Sequence, residues 1–201
     1  CIIVDGNLIA AIEEERINRK KHYSGYPIES IKECLRIAEK KELEITDVAF
    51  NTKPSSNLLF KGAFFMKNLS FKKNSLLGRF KNKINIKKLL LEKFTLNNNV
   101  KFHYIEHHLA HIASAFYPSG FKDAVGLSID GSGDFVTLAI SECKNNRIKI
   151  IEKTNFPNSL GIFYHAMTQF LGFKNYGDEY KVMGLAAYGK PKYFDKIKDN
   201  L

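Results

Sequence analysis

Three strand-like segments between Asp123 and Lys153, with no room for a helix among them, constrain the fold more than any other feature of the chain. Asp123–Ile129 is apolar and ends on Asp130. Phe135–Ser141 and Arg147–Lys153 follow, the second reached through a turn at Lys144-Asn145-Asn146. Strands joined by so few residues pair antiparallel, because a parallel crossover needs about a dozen residues or more. Elsewhere strands and helices alternate. Cys1–Val4 and Leu8–Glu13 flank Asp5-Gly6-Asn7, a hairpin signal whose turn needs positive φ at Gly or Asn. A basic loop, Arg19-Lys20-Lys21-His22, leads to Pro27, which suits a first helical position. Ile28, Ile31, Leu35 and Ala38 then recur at helical spacing, which predicts an amphipathic helix over Pro27–Lys41. Asp47–Asn51 and Val100–Ile105 read as short strands. His107–Phe116, closed off before Pro118, and Leu160–Leu171, with Gly172 near its end, read as helices. The class is α/β, a mixed sheet with flanking helices.

At 201 residues, with 44% hydrophobic and 26% charged residues, the chain can bury a sizeable core, which excludes a disordered segment. No apolar run approaches the roughly 18 residues of a membrane-crossing helix, and no signal segment opens the chain. Cys1, Cys34 and Cys143 are odd in number and widely spaced, so neither a disulfide framework nor a zinc knuckle is expected, and a reducing cytoplasm fits. The chain opens at Cys1 directly in an apolar run and stops at Leu201 within a helical pattern, as expected of one part of a longer protein.

The net charge of +10 is local. From Lys61 to Lys101 there are eleven Lys and Arg residues against one acid, Glu92, and the rest of the chain is balanced. A uniformly basic nucleic-acid binder is therefore not expected. The segment reads as a basic insertion, with a pair of solvated amphipathic helices as its plainest form. Phosphates, an anionic lipid surface or an acidic partner are its alternative uses.

Chemistry concentrates in Glu106-His107-His108-Leu109-Ala110-His111. On a helix, His107 and His111 stand one turn apart on one face, the i, i+4 arrangement by which two imidazoles bind one metal, and His108 points elsewhere. His108 occupies the place of the Glu in an HExxH pattern, so a zinc-protease reading lacks its general base. A lone HxxxH is a weak signal that Asp130 strengthens. That carboxylate ends an apolar strand just before Gly131-Ser132-Gly133-Asp134, a turn that is either a plain hairpin or a place where glycine backbone approaches a phosphate. Two His and one Asp make a mixed nitrogen and oxygen site with open positions, suited to Fe, Mn or Zn.

Several ordered motifs together carry a family resemblance. They are Ala11-Ile12-Glu13-Glu14-Glu15-Arg16 with Lys20-Lys21-His22, His107-His108-Leu109-Ala110-His111 with Ala113-Ser114-Ala115-Phe116-Tyr117-Pro118, and Ile129-Asp130-Gly131. Ser159-Leu160-Gly161, Leu171-Gly172-Phe173 and Glu179-Tyr180-Lys181-Val182-Met183-Gly184-Leu185-Ala186 complete the set. In these the chain resembles the N-terminal part of O-carbamoyltransferases of the nodulation-factor and antibiotic-modifying type, along nearly its whole length except the basic insertion. Their first domain is similar to TsaD-type proteins of the actin-like ATPase (ribonuclease H-like) superfamily, so the resemblance implies part of such a domain across residues 1–201.

The resemblance also implies a two-step chemistry. A YrdC-like C-terminal domain in the same polypeptide would condense carbamoyl phosphate with ATP to carbamoyl-adenylate. The domain represented here would pass the carbamoyl group to a hydroxyl on a sugar, glycolipid or natural product. His107, His111 and Asp130 match the family's metal ligands, iron being the expected ion with manganese or zinc as alternatives. Lys21, Asp130, Gly131, Gly133 and Gly161 match positions expected near the adenylate. The family's early His-Asp motif, which supplies the acceptor's base, would precede Cys1, and a distal Asp ligand would follow Leu201, so this segment is expected to be inactive alone. Ser132, Asp134 and Phe135 stand where the family more often has Val, Glu and Trp, and Ala187 stands in place of a usual Pro. Two other functions remain open at this level: a component of tRNA threonylcarbamoyl-adenosine synthase, and a non-enzymatic basic module whose binding would weaken steeply with salt.

Overall fold

A computed structural model of the chain describes residues 1–21, 23, 25–67 and 86–199. In chain order its elements are β1 (Ile2–Val4), β2 (Asn7–Ala10), α1 (Glu14–Asn18), α2 (Ile28–Ile37), a 3-10 turn (Glu42–Glu44), β3 (Asp47–Phe50), α3 (Leu58–Lys67), α4 (Ile86–Lys93), β4 (Lys101–Tyr104) and α5 (His107–Phe116). A second 3-10 turn (Tyr117–Ser119) leads to β5 (Asp123–Gly133), β6 (Val136–Lys144), β7 (Arg147–Asn155), α6 (Leu160–Phe170), α7 (Glu179–Ala186) and α8 (Phe194–Lys198). The chain divides into two compact units, Cys1–Ser55 with Phe65–Ile105, and Ser56–Phe64 with Glu106–Leu201. Of the basic insertion, α3 and α4 are the helices described; its stretch from 68 to 85 lies outside the described residues. No helix among the described residues is long and apolar enough to cross a membrane.

In the first unit β1 and β2 form the expected hairpin, but the left-handed residues are Asp5 (φ 50°) and Gly6 (φ 80°), and Asn7 already pairs with Val4. A two-residue turn with both φ positive matches the twist of the strands it joins. Helix α2 starts after Pro27 and buries Ser30, Cys34 and Leu35. Its free N-terminal donors meet the carboxylate of Glu14, which accepts from the Ser30 N–H at 2.8 Å. Glu14 sits on α1, a short helix over residues that the sequence pattern assigns to no element. Strands β3 and β4 pair in parallel, Asp47 opposite Lys101 through Phe50 opposite Tyr104. Phe50 lies 5.3 Å from Tyr104 and 6.3 Å from Phe102, ring centre to ring centre.

In the second unit β5, β6 and β7 make the antiparallel meander, in that order. Helices α5 and α6 pack against β5. The core is small: Ile112 and Phe116 from α5 meet Ala139 and Cys143 of β6, with Ala124, Ile148 and Ile150 around them. Gly126 permits this approach, because a Cβ there would sit 2.6 Å from the Ile112 methyl. Parallel and antiparallel pairs therefore both occur beside the helices, but the described residues form three separate small sheets instead of the single mixed sheet expected. Local hairpins account for the antiparallel pairs, whereas the parallel pair closes over the long crossover that contains the basic insertion.

Candidate metal centre

Helix α5 carries two side-chain stripes. His108, Ile112 and Phe116, four residues apart, are its buried stripe. His107 and His111, also four apart, lie one residue round the helix at the edge of the buried face. The His107 side chain is 21% exposed and that of His111 53%. Buried His108 donates from Nε2 to the Val136 carbonyl at 2.9 Å, since that carbonyl can only accept, and its Nδ1 accepts from the Ser128 hydroxyl at 2.8 Å. Burial holds its pKa below the usual imidazole value, so it is a neutral strut between helix and sheet.

Strand β5 supplies the carboxylate. Ser128 faces α5, so the two-residue alternation of a strand brings Asp130 to the same side one step further along. Beyond Ile129 the ladder is irregular. Asp130, Gly131 and Ser132 stand opposite Thr137 alone before Gly133 pairs with Val136. Such a bulge bends a strand and re-aims its side chains. The strand therefore does not end at Asp130, as the sequence suggests, but runs on to Gly133. The turn is Asp134–Phe135, both left-handed at φ 52° and 74°, instead of the glycine-bearing Gly131–Asp134.

The three side chains converge. His107 Nε2 lies 2.8 Å from Asp130 Oδ2 and 2.9 Å from His111 Nε2, and His111 Nε2 lies 3.8 Å from Asp130 Oδ2. Metal bonds of about 2.0–2.2 Å put neighbouring donors roughly 3.0–3.4 Å apart in octahedral or tetrahedral shells, so the set has the dimensions of one coordination face. Proton bookkeeping points the same way. His107 Nε2 carries either a proton or a lone pair, and it cannot at once donate to the carboxylate and serve as a full partner of the second imidazole. A cation at the centre satisfies all three donors. Burial pushes the Asp130 carboxyl up, but the hydrogen bonds with His107 and from the Gly131 N–H, with the nearby imidazoles, outweigh it and hold the group below the usual carboxylate range. It is an anionic group at neutral pH. Among the described residues these three are the one group of at least three His, Cys, Asp or Glu side chains with donor atoms placed to share an ion.

Close packing fixes this face. A Cβ on Gly133 would overlap the His107 ring, and a Cβ on Gly161 would lie 2.6 Å from the Gly131 nitrogen and 2.8 Å from the Asp130 carbonyl oxygen. Both glycines thus let protein groups touch; Gly131 alone among the three faces open space. Ser159 joins α6 to the bulge: its hydroxyl accepts from the Ile162 N–H at 3.0 Å and lies 2.8 Å from the Gly131 carbonyl oxygen and 3.1 Å from that of Asp130. At the start of α5, Glu106 pairs with Lys153 of β7 at 2.6 Å, and the Asp134 carboxylate accepts the His107 N–H at 3.1 Å.

Of the residues singled out from sequence, His107, His111 and Asp130 come together in the second unit, with Gly131, Gly133 and Gly161 around them. Lys21 is an exposed turn residue of the first unit. Ser159, Asp134 and Glu106 lie within motifs named from the sequence but carry no site role there, and Lys153 marks only a strand end. A Ser ahead of an apolar helical run is an N-cap signal that would have flagged Ser159. No local pattern announces the other three, whose partners are distant in the chain.

The whole chain, residues 1–201, matches a family model described as Carbamoyltransferase N-terminus. It is 35% identical to an uncharacterized protein of Synechocystis sp., covering 100% of this chain and 34% of that protein. It is 34% identical to nodulation protein NolNO of Sinorhizobium fredii over 94% of this chain and 27% of that protein. A shorter match, 46% of this chain and 17% of the relative, is 40% identical to nodulation protein NolO of Bradyrhizobium diazoefficiens. The chain spans about a third of the length of the first and about a quarter of the second.

Proposed function

Because the chain belongs to the carbamoyltransferase N-terminus family, we propose that it supplies the metal-binding half of a site that transfers a carbamoyl group from carbamoyl-adenylate to an acceptor hydroxyl. On this reading it is part of an actin-like domain, and a YrdC-like domain elsewhere in the longer protein makes the adenylate from carbamoyl phosphate and ATP. The acceptor is a hydroxylated small molecule, glycan or glycolipid, and the setting is the cytoplasm.

His107, His111 and Asp130 would hold a divalent cation, iron by preference and manganese or zinc as alternatives, through two imidazole nitrogens and a carboxylate oxygen. When bound, the cation supplies Lewis acidity toward the oxygens of the adenylate. The partial exposure of His111 and Asp130 leaves one side of the triad open for that ligand. Gly131, with space where a side chain would stand, lets the nucleotide approach the backbone, while Gly133 and Gly161 keep the triad and the start of α6 in contact with the bulge. Lys21 is carried here by the family resemblance alone, as a lysine suited to offset the charge of a phosphate group. In the transfer, the acceptor oxygen bonds to the carbamoyl carbon as the bond from that carbon to the AMP oxygen breaks. AMP departs, and the acceptor proton passes to a general base.

The observation that carries the proposal is the convergence of three donors, 2.8–3.8 Å apart, from an i, i+4 pair and a remote strand. Its test is elemental analysis of the full-length protein beside His111→Ala. The wild type should retain a divalent metal after desalting. The variant should lose it by more than the roughly 10–100-fold typical of removing an outer-shell partner. Equal metal content in a folded variant would overturn the proposal.

A further inference from the structure

We propose that Asp134 is a positioning residue for His107, and that the Asp134–Phe135 turn is the element holding that ligand on the metal face; this rests on the metal reading above. Four observations converge on the turn. First, Asp134, a residue 7% exposed, aims its Oδ2 at the His107 N–H, 3.1 Å away. That N–H is one of the first donors of α5, which no helical carbonyl can satisfy, and a carboxylate there also meets the positive end of the helix. Second, the residue before the turn, Gly133, is the one against which the His107 ring lies, so ring and main chain of one ligand rest on consecutive residues.

Third, the turn is strained and held. Phe135 sits at φ 74°, a region that a bulky residue occupies only where its surroundings over-determine it. Its ring packs edge-on against Phe64 of α3 at 5.4 Å and lies 5.4 Å from Phe156. Fourth, the Asn57 side chain, just ahead of α3, donates to the Asp134 carbonyl at 3.0 Å. Asn57, just ahead of α3, and Phe64 within it thus clamp the turn, the turn sets the first turn of α5, and that sets where His107 Nε2 stands. Without the carboxylate, the start of α5 can rotate about its axis. At the helix radius a small rotation carries Nε2 off the face shared with His111 and Asp130, while the buried stripe still keeps the helix on the sheet.

The experiment is Co2+ titration of the full-length protein, read by the visible d–d band and by competition with a chelator, for the wild type, Asp134→Gly, Asp134→Asn and His111→Ala. Glycine adopts positive φ freely, so Asp134→Gly removes the carboxylate without straining the turn. Its Co2+ affinity should fall about 10–100-fold with an altered band shape, while the protein stays folded and melts only a few degrees lower, as expected from losing the acceptor of one helix N-terminal N–H. Asn, which tolerates the same backbone and keeps an oxygen acceptor, should recover most of the affinity. Amide exchange at His107 gives a metal-free reading of the same contact: slow in the wild type and Asp134→Asn, faster in Asp134→Gly. Unchanged Co2+ affinity and band shape in Asp134→Gly, while His111→Ala loses the metal, overturns this inference and leaves the triad standing. A wild type indistinguishable from His111→Ala overturns both.

Discussion

Replacing Gly161 with Ala probes how α6 meets the strand that carries the carboxylate. The added Cβ would lie 2.6 Å from the Gly131 nitrogen and 2.7 Å from the Asp130 carbonyl carbon, both main-chain atoms that cannot rotate away. Regaining an ordinary contact of about 3.4 Å requires the start of α6 and the Asp130–Gly131 peptide to part by roughly 0.8 Å. That movement takes the 2.8 Å contact of the Ser159 hydroxyl with the Gly131 carbonyl beyond hydrogen-bonding range. Overpacking of this kind costs about 1–3 kcal/mol, and a lost hydrogen bond adds about 1 kcal/mol. Against this stands a gain of up to about 1 kcal/mol from the better helix propensity of Ala, so destabilisation wins. For a domain of this size the melting temperature, followed by circular dichroism, should fall by several degrees. If the strand gives way instead of the helix, Asp130 moves with it and the metal dissociation constant rises as well. A Gly161→Ala protein melting at or above the wild-type temperature with unchanged metal affinity would refute the close-contact argument.

Ile112 and His111 are neighbours on α5 that belong to different stripes, so Ile112→Ala should lower stability by about 2–5 kcal/mol in chemical denaturation while the folded protein binds metal within a few-fold of wild type; a large loss of affinity without loss of stability would contradict the two-stripe description. Tyr26 gives a pH signature in the first unit. Burial, and then the charge of Tyr104, push its phenol up to about 12, and its hydroxyl donates to the Ile86 carbonyl. The unfolded phenol loses its proton near the ordinary value of about 10. Between these values the folded state binds more protons than the unfolded one, so stability falls as pH rises from about 10 to about 12. Tyr26→Phe should flatten that alkaline fall, and an equally steep fall in the variant would show that Tyr26 is not its source.

What could be read in the sequence is what depends on neighbours along the chain. The bounds of α5, the i, i+4 pairing of His107 and His111 and the turn at Lys144–Asn146 follow from helical and strand periodicities alone, and each appears where expected. They put Asp130 on the same side of β5 as Ser128, but the path of the strand beyond it does not follow from them. It depends on a bulge whose extra residues are defined only by the partner strand, with Thr137 opposite Asp130–Ser132. The glycines show the same limit. Gly133 and Gly161 were legible as special but not for their reason: each is small because a distant group, the His107 ring or the Asp130–Gly131 peptide, presses on it. The helix α1 was missed because its job is tertiary, to bring Glu14 to the N-terminus of α2.

The division of α5 into two stripes explains how one short helix both builds a core and exposes a polar site. A residue advances about 100° around a helix, so His108, Ile112 and Phe116 can face the sheet while His107 and His111 look along its edge. The packed stripe fixes the rotation of the helix only as closely as apolar contacts allow, which is looser than a metal site needs. Directional contacts supply the remainder: His108 bonded at both nitrogens, Glu106 paired to β7, and the His107 N–H held by Asp134. Each of them lies within one residue of His107 along the helix or grips it directly. The polar strut at His108 adds to that hold, since both of its ring nitrogens bond helix to sheet one residue from His107, where a leucine would contribute apolar packing alone.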